Sequence, residues 1–323
     1  MFDLPESWVW DFWLVDDGEH YHLFFLYASR ALKNPDARHY RASVGHAVSS
    51  DLINWTRVVD ALVRSDPPAA DDLATWTGSI TQGPDGLWYM FYTSATSAPD
   101  GANIQSISYA TSPDLYDWTK APGPILRADP RWYEVLGDGQ WHDEAFRDPW
   151  VVRDPDGNGW HLLITARANH GPADDRGVVG HATSPDLVTW TMQPPLSEPG
   201  QGFGQLEVFE TVRLEGRDYL MFNCLSGDLS DAHRATGVSG GVWLAPAESV
   251  LGPYDLAGAQ LLTDRRHYVG RFAVDRSGDP VFLAFRHDAE DGSFLGGITD
   301  PRPVQVRDGR VVLAEQRSTA AVG

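Results

Sequence analysis

The chain has 323 residues, a formal net charge of −20 at pH 7 and one cysteine, Cys224. This charge repels nucleic acid and anionic membranes, so neither is expected as a partner, and one cysteine excludes an internal disulfide. No apolar run is long enough to span a membrane, and the first residues lack the basic and apolar segments of a secretory signal, which predicts a cytoplasmic protein.

An apolar, aromatic-rich strand recurs five times, each time just after a turn that contains glycine. The five predicted strands span residues 22–27, 88–93, 160–165, 219–223 and 281–285. Long helical patterns are absent, and 31 glycines and 22 prolines suit many short strands joined by turns. Five units give about 65 residues each, enough for a four-stranded blade. We therefore predict an all-β protein, a single five-bladed β-propeller spanning residues 1–323.

A second pattern, Ser-x-Asp-Leu-x-x-Trp-Thr, accompanies three of these units and begins at Ser49, Ser112 and Ser184. Its tryptophan is expected to pack between strands, because a large apolar ring at a fixed place in a repeat is typical of a core contact. The pattern agrees with a division of the chain into blades.

The segments that precede the apolar strands are the equivalent innermost strands of the predicted propeller. They contain, in chain order, Asp11, Trp76, Asp148, Glu207 and Arg271. Innermost strands surround one central channel, so the polar side chains of these segments are expected to converge there. Three of them are carboxylates in otherwise apolar or aromatic surroundings. Burying a carboxylate without a partner is costly, which indicates a functional site.

Convergent carboxylates indicate glycoside hydrolysis, in which two carboxyl groups act on either side of the scissile bond as acid/base and as nucleophile or base. Their like charges and partial burial raise one pKa, which keeps the acid protonated near neutral pH. Arg147, beside Asp148, is expected to hold that carboxylate ionised and to offer donors to sugar hydroxyls. Trp10, Trp13 and Trp76 offer apolar faces to a sugar ring.

Motifs in these segments resemble those of the clan that contains glycoside hydrolase families 68 and 32, the levansucrases, invertases and β-fructofuranosidases. Residues 9–13, Val-Trp-Asp-Phe-Trp, are similar to the family 68 motif Val-Trp-Asp-Ser-Trp, and residues 146–149 contain the clan's Arg-Asp-Pro. Residues 76–79 are similar to a Trp-Ser-Gly-Ser stretch, and residues 205–207 lie where the family has Glu-x-Glu-Arg-Pro. Residues 271–274 are similar to His-Phe-Ala-Val. The resemblance is closest to family 68.

The resemblance implies a five-bladed propeller that acts on β-fructofuranosides with retention, by hydrolysis or by transfer to another sugar. It implies Asp11 as nucleophile, Asp148 as the residue that stabilises the transition state, and Glu207 as acid/base. The expected partner is a small oligosaccharide or sucrose-like substrate, and no cofactor is expected. The residues predicted to bind this substrate are Trp10, Trp76, Thr77, Arg147, Gln205, His267, Tyr268 and Arg271.

One departure from the resemblance concerns the leaving group. Val208 and Phe209 stand where the family has Arg-Pro after the acid/base glutamate. This replacement predicts a less polar leaving-group subsite, loose selection of the leaving group and weaker use of sucrose.

Two other functions stay open at this level. An inverting enzyme of the family 43 type shares the propeller and the three carboxylates, and a non-catalytic sugar-binding propeller would use them only as acceptors. A carboxyl separation of about 5–5.5 Å favours retention and one of about 6.5–9.5 Å favours inversion. Glu210 is a rival of Glu207; since residues 207 and 210 point to opposite faces of a strand, at most one faces the channel.

Residues outside these segments receive structural interpretations. His20 and His22 share a strand face, but no third ligand stands at a convincing spacing, so structural histidines are favoured and no metal site is predicted. Residues 71–72 and 142–144 are interpreted as solvated acidic loops, with a loop calcium site as the alternative. Cys224 is predicted to be an inert core residue.

Overall fold

Five four-stranded antiparallel sheets make up the protein, whose computed structural model describes residues 1–138 and 140–314. The first sheet contains β1 (Ser7–Asp16), β2 (Tyr21–Ser29), β3 (Ser43–Ser49) and β4 (Thr56–Arg57). The second contains β5 (Ala74–Gln82), β6 (Trp88–Ser97), β7 (Asn103–Ser112) and β8 (Thr119–Lys120). The third contains β9 (Phe146–Arg153), β10 (Trp160–Arg167), β11 (Gly177–Ser184) and β12 (Thr191–Gln193).

The last two sheets follow the same order. The fourth contains β13 (Glu207–Leu214), β14 (Arg217–Cys224), β15 (Gly241–Ala247) and β16 (Gln260–Asp264), and the fifth contains β17 (His267–Val274), β18 (Pro280–Arg286), β19 (Arg302–Arg307) and β20 (Arg310–Leu313). Helical structure in the described ranges is limited to short segments. They are the 3₁₀ segments Arg30–Leu32, Pro35–Arg41, Leu136–Asp138 and Ser226–Asp228, and one α-helical turn, α1 (Asp231–Arg234).

The five sheets are the blades of a propeller. Their first strands, β1, β5, β9, β13 and β17, contact one another in cyclic order, with β17 beside β1. The N-terminus also joins the last blade, where the Phe2 N–H donates to the Ile298 carbonyl oxygen at 2.9 Å. The predicted all-β, five-bladed propeller is confirmed. Residues 139 and 315–323 of the predicted single domain lie outside the described residues. No helix in the described ranges is long and apolar enough to cross a membrane.

The recurring Ser-x-Asp-Leu-x-x-Trp-Thr pattern forms the turn between the third and fourth strands of three blades. In the first copy, the Asp51 carboxylate accepts hydrogen bonds from the N–H groups of Ile53 and Asn54 at 2.9 and 2.7 Å. Leu52 takes a left-handed backbone conformation with φ of 65°, and its carbonyl oxygen accepts from the Trp55 indole at 3.1 Å. The same leucine–tryptophan bond occurs between Leu115 and Trp118 and between Leu187 and Trp190. The pattern therefore encodes a turn that fixes the orientation of an indole ring.

The turn tryptophans also join neighbouring blades. Trp118, in the second blade, packs edge-on against Phe24 of the first, with ring centroids 5.8 Å apart. Trp190, in the third blade, packs edge-on against Phe91 of the second at 5.2 Å. Both phenylalanines are fully buried on second strands. Edge-to-face pairs of this kind add about 0.5–1.5 kcal/mol to the stabilisation from burial itself.

Every first strand carries a bulge at the same level of the ring. The register shifts fall at Asp11 in β1, at Thr77 in β5, at Asp148 and Pro149 in β9, at Val208 and Phe209 in β13, and at Val269 and Gly270 in β17. Asp148, Val208 and Val269 have positive φ values of 56°, 52° and 44°. A bulge turns a side chain out of the regular alternation of a strand and is frequent beside active sites. In four of the five first strands a residue at the bulge lines the central cavity of the ring, namely Asp11, Thr77, Asp148 and Val208.

The histidines His22 on β2 and His46 on β3 make structural contacts. His22 Nδ1 lies 2.9 Å from His46 Nε2, and His22 Nε2 lies 3.1 Å from Asp17 Oδ2. Burial lowers the pKa of His46 to about 3, so this ring is neutral. His20 precedes β2, so the strand that contains His22 does not include it, contrary to the prediction that the two share a strand. In the part of the chain that the structure describes, no group of three or more potential metal ligands is assembled.

Two further sequence interpretations concern acidic residues and the cysteine. Asp71 is 5% exposed and accepts a hydrogen bond from Lys120, so it is a buried ion-pair partner and not part of a solvated loop. Asp72 accepts from the Thr96 hydroxyl at 2.8 Å. Cys224 is buried at the end of β14, and burial raises the pKa of its thiol. A thiol with a raised pKa is a poor nucleophile, as expected for an inert core residue.

Candidate active site

A cavity of about 390 Å³ opens at the centre of the ring, at the level of the bulges. A volume of this size lies within the range of small-molecule sites. Asp11, Asp148 and Glu207 line it from three different first strands. Five of the predicted substrate-binding residues also line it: Trp10, Trp76, Thr77, Arg147 and Tyr268. The repeat frame therefore brings three carboxylates that are far apart in sequence to one cavity.

Asp11 lies in the bulge of β1, and its Oδ2 accepts a hydrogen bond from the Thr77 hydroxyl of the next blade. Burial raises the pKa of Asp11 to about 6. The Thr77 hydrogen bond lowers this pKa, the nearby Glu207 raises it, and Arg38 and Arg271 lower it. Asp11 therefore titrates close to neutrality and is ionised in the upper part of the physiological pH range.

Asp148 lies in the bulge of β9, where its positive φ points its carboxylate into the cavity. Its backbone N–H donates to the Thr93 hydroxyl at 2.8 Å, and its Oδ2 accepts from the Thr165 hydroxyl at 3.0 Å. Arg147 Nε is 3.4 Å from the same oxygen. Burial nevertheless raises the pKa of Asp148 to about 7, against the lowering effect of Arg147. The carboxyl is firmly held and carries a high cost of ionisation.

Glu207 begins β13 and is held on both sides. Its Oε1 accepts from Arg147 and its Oε2 accepts from the Tyr268 hydroxyl. Arg147 also donates to Gln205, and to Gln105 Oε1 at 3.2 Å. Although burial disfavours the charge of Arg147, Glu207 and Asp148 together raise its pKa above the usual value. The guanidinium thus fixes two of the three carboxylates relative to each other.

Glu210, the rival of Glu207, does not line the cavity. It is buried and accepts from the Phe272 N–H at 3.0 Å, and its Oε2 lies 3.9 Å from Arg271 Nη1. Burial raises the pKa of Glu210 to about 7. The bulge at Val208 separates the two glutamates along the strand, so only Glu207 reaches the cavity.

Three predicted substrate-binding residues do not reach the cavity wall. Arg271 lies beyond the bulge of β17 and is engaged by the main chain, since it donates to the carbonyl oxygens of Phe12 and Phe209 at 3.0 Å each. Gln205 is not part of the cavity wall, and its Oε1 accepts a hydrogen bond from Arg147. His267 precedes Tyr268, and because neighbouring side chains of a strand point to opposite faces it faces away from the cavity. The structure therefore does not bring these three side chains to the cavity wall.

Several cavity residues lie outside the five first strands, most of them in loops, and were missed by the sequence reasoning. They are Asp36, Arg38, His39, Tyr40, Asn103, Gln105, His142, Asp143 and His287. Trp76 is tied to this group, because its indole donates to the His39 carbonyl oxygen at 2.7 Å. The concentration of basic residues at 38–41 in an acidic chain is the sequence signal that could have pointed to the first loop. Asp143, which we interpreted as part of a solvated loop, is mostly buried and accepts from Gln105 at 3.2 Å.

The arrangement fits chemistry at a glycosidic bond. Asp11, whose carboxyl titrates near neutral pH, shares the cavity with Glu207 and Asp148. Glu207 accepts hydrogen bonds from two donors, and Asp148 accepts one from the Thr165 hydroxyl. Paired carboxyl groups of different environment are the equipment of glycoside hydrolysis. Trp10 and Trp76 supply apolar surface beside them.

Relatives with known names share parts of the sequence. The chain is 32% identical to β-fructofuranosidase 1 of Zea mays over 195 residues, which are 58% of this chain and 26% of that protein. It is 31% identical to fructan 1-exohydrolase of Hordeum vulgare over 179 residues, 51% of this chain and 26% of that protein. The matched part is thus about a quarter of the length of these relatives.

Solved structures share the fold. An inulosucrase from Halalkalicoccus jeotgali, bound to kestose, superposes with a TM-score of 0.79 at 22% identity, covering 96% of this chain and 87% of that one. The levansucrase of Bacillus subtilis superposes with a TM-score of 0.71 at 15% identity, again covering 96% of this chain and 87% of the other. Both are enzymes of the predicted clan, and the likeness shows the propeller fold.

The family model that matches is that of the glycosyl hydrolases family 32 N-terminal domain, over residues 12–249. This finding confirms the clan of families 32 and 68, although the model is that of family 32 and not that of family 68, to which the motifs were most similar. Since the match covers most of the chain, the protein belongs to glycosyl hydrolase family 32.

Proposed function

We propose that the protein is a retaining glycosidase that releases fructose from β-fructofuranosides, with a second sugar able to replace water as the acceptor. The observation that carries the proposal is the meeting of Asp11, Asp148 and Glu207 in one cavity of a family 32 chain. The names of the relatives, a β-fructofuranosidase and a fructan exohydrolase, agree with it.

In the proposed first step, the ionised Asp11 attacks the anomeric carbon of the fructosyl unit. The bond from this carbon to the leaving-group oxygen breaks, and the oxygen takes a proton from Glu207. The product of this step is a fructosyl ester of Asp11. Two displacements at one carbon restore the original configuration, which is why a covalent intermediate gives retention.

In the second step, Glu207 takes a proton from water, and the resulting hydroxide equivalent displaces Asp11 and releases fructose. A sugar hydroxyl in place of water gives transfer to that sugar. Arg147 and Tyr268 keep the Glu207 carboxyl in one place through both proton transfers. This restraint suits a group that must act first as acid and then as base.

Asp148 accepts hydroxyl groups of the fructosyl ring in this mechanism. Its position is fixed by Thr165 at 3.0 Å and by Arg147 at 3.4 Å. A fixed negative charge next to a ring that becomes positive in the transition state lowers the barrier, because the oxocarbenium ion interacts with it more strongly than the ground state does.

The leaving-group side of the cavity includes Val208, which contributes no polar atom from its side chain. Phe209, the second residue that replaces the family's Arg-Pro, is fully buried and absent from the cavity wall. We therefore expect loose selection of the leaving group and weaker use of sucrose than in typical relatives.

The test is incubation of the purified protein with sucrose, an inulin or levan oligosaccharide and an aryl arabinofuranoside, with the products followed by NMR. We expect fructose, released first as the β-anomer. Asp11→Asn should lose nearly all turnover, whereas Glu210→Gln, the matched buried glutamate, should keep the same anomeric outcome. Release of arabinose with inversion and no release of fructose would contradict the proposal in favour of the inverting alternative. Sugar binding without turnover, unchanged in Asp11→Asn, would indicate a binding module.

A further inference from the structure

Arg38 lines the cavity although it belongs to no repeat motif. It lies in the 3₁₀ segment Pro35–Arg41, between β2 and β3, and is 6% exposed. The start of this segment is fixed, because Asn34 accepts a hydrogen bond from the Asp36 N–H at 3.0 Å and a proline occupies the first position. The backbone that carries Arg38 is therefore an ordered 3₁₀ segment and not a free loop.

The guanidinium of Arg38 lies between two aromatic rings. Its Cζ atom is 3.8 Å from the ring centroid of Phe294 and 5.4 Å from that of Trp10. Nη1 donates to the Pro35 carbonyl oxygen at 2.9 Å. Nε, however, is buried and finds no acceptor within the described residues. A buried donor without a partner is costly, so an acceptor that reaches this N–H would stabilise the arginine.

The other two arginines near Asp11 have no such spare donor at the cavity. Arg147 is committed to Glu207, Gln205 and Gln105. Arg271 is committed to two main-chain carbonyl oxygens and does not line the cavity. Arg38 is thus the one among the three that combines a position at the cavity with a buried N–H for which the described residues supply no acceptor.

We propose that Arg38 is a substrate-binding residue whose Nε–H donates to a hydroxyl oxygen of the sugar at Asp11, and whose charge favours the ionised Asp11. This inference rests on the proposed function of the same site. A sugar hydroxyl is the acceptor that such a cavity would receive, and a charged donor to a neutral oxygen makes a stronger hydrogen bond than a neutral donor does.

The charge of Arg38 acts on Asp11 together with several other groups. Burial and Glu207 raise the pKa of Asp11, the Thr77 hydroxyl lowers it, and Arg38 lowers it more than the distant, carbonyl-bound Arg271. Asp148 also faces this carboxyl across the cavity. Removal of the Arg38 charge should raise the pKa of Asp11 above about 6. The attacking anion then forms only at higher pH, and the acid limb of kcat/KM moves upwards.

Arg38 itself is surrounded by groups that keep its charge. Burial lowers its pKa to about 10, against the opposing effects of Asp11 and Asp36. Neighbouring His39 is neutral, because burial lowers its pKa to about 3. At the pH of an enzyme assay the guanidinium is therefore protonated. The pH profile of Arg38 variants then reports on the cavity carboxyls Asp11 and Asp148 and not on Arg38, and the NMR titration isolates the part that belongs to Asp11.

The test compares two substitutions with a control. Arg38→Met removes the donor and the charge but keeps an unbranched apolar stem between Phe294 and Trp10. Arg38→Lys keeps the charge and loses Nε. The control, Arg41→Gln, changes an exposed arginine of the same 3₁₀ segment that does not line the cavity. Steady-state kinetics on a fructoside are measured over pH, and the titration of Asp11 in the sugar-free protein is followed by ¹³C NMR.

We expect KM to rise by about 10-fold or more in both Arg38 variants, the loss that follows removal of a charged hydrogen bond. The acid limb of kcat/KM and the Asp11 titration should move upwards in Arg38→Met only. Arg41→Gln should match the wild type. An unchanged KM in Arg38→Lys overturns the hydrogen bond even if Arg38→Met does not fold. An unchanged Asp11 titration in a folded Arg38→Met overturns the role of the charge.

These outcomes are separate from failure of the proposed function. A wild-type protein that releases no fructose contradicts that function, whereas the NMR titration still decides whether Arg38 sets the charge of Asp11. A wild type that releases fructose, with Arg38→Met indistinguishable from it, contradicts only the inference about Arg38.

Discussion

Replacement of Asp148 by asparagine should stabilise the protein at pH 8 and abolish its turnover. Burial raises the pKa of Asp148 from 3.8 to about 7, even though Arg147 lies beside it. A group whose folded-state pKa is raised contributes stability below its unfolded value, near pH 4, and that contribution is lost as the pH rises through about 7. Asparagine has the shape of the protonated acid and does not ionise, so it keeps the contribution at every pH.

The size of the effect follows from the shift. A difference of about three pKa units corresponds to roughly 4 kcal/mol, and relaxation around the charge reduces this, so we expect a gain of about 2–4 kcal/mol at pH 8. For a chain of this length each kcal/mol raises Tm by roughly 2 °C. The expected increase in Tm at pH 8 is therefore at least about 4 °C, and at pH 4 it should be close to zero.

The assay is thermal unfolding of wild type and Asp148→Asn by circular dichroism at pH 4, 6 and 8. Asp156→Asn is the matched control, because Asp156 is exposed in the turn that follows the same first strand. Its Tm should follow that of the wild type at each pH. An Asp148→Asn variant that is no more stable than the wild type at pH 8, or is stabilised equally at pH 4 and pH 8, would refute the reasoning from buried charge.

Two further predictions concern the proton transfer and the arginine. Glu207→Gln should lower kcat/KM on sucrose by about 10²–10⁴-fold, the usual contribution of general acid catalysis. The loss should be much smaller on an aryl fructoside, because its leaving group needs little protonation. Equal losses on the two substrates would show that Glu207 is not the acid. Arg147→Lys should lower kcat/KM by about 10²-fold, with losses in both KM and kcat, because an ammonium cannot hold Glu207 and Asp148 at once. Full activity of this variant on sucrose would show that the shared guanidinium is not needed.

The propeller could be predicted because its signals are local. In three of the five blades, a short sequence pattern encodes the turn between the third and fourth strands. In the first blade the Asp51 carboxylate caps this turn, and the Trp55 indole donates to the Leu52 carbonyl oxygen. Because this signal is local and repeated, it indicates the division of the chain into blades without information on long-range contacts. The convergence of Asp11, Asp148 and Glu207 then follows from position within the repeat, since equivalent strands of a propeller face one axis.

The loops that complete the cavity could not be placed in the same way. Arg38 and Asp143 come from segments without a counterpart in the other blades, so no repeat frame indicates where they point. Their positions depend on tertiary contacts, such as the ring of Phe294 over Arg38 and the bond from Gln105 to Asp143. Both partners are distant in sequence, and single-chain patterns carry no information on such pairs.

The positions of Arg271 and His267 follow from the geometry of β17. An extra residue between Tyr268 and Arg271 leaves Arg271 beyond the cavity, and His267 lies on the strand face opposite to Tyr268. The sequence does not indicate where the bulge of such a strand falls. Glycine is the usual sign of a positive φ, yet here the left-handed positions are occupied by Asp148, Val208 and Val269. A β-branched valine in that conformation is strained, and the surrounding structure must hold it there.

That strain and the high pKa of Asp148 have the same consequence for stability. The bulge turns a carboxylate out of the strand into a cavity, and burial there makes its ionisation costly. A regular strand with an apolar residue would be more stable, but it would present no charge to a sugar. The surrounding donors, Thr165 and Arg147, lower the cost only in part, because complete compensation would leave the carboxylate no capacity to bind a hydroxyl group. The site is therefore kept at the expense of fold stability, which is why we expect the neutral variant to be both inactive and more stable.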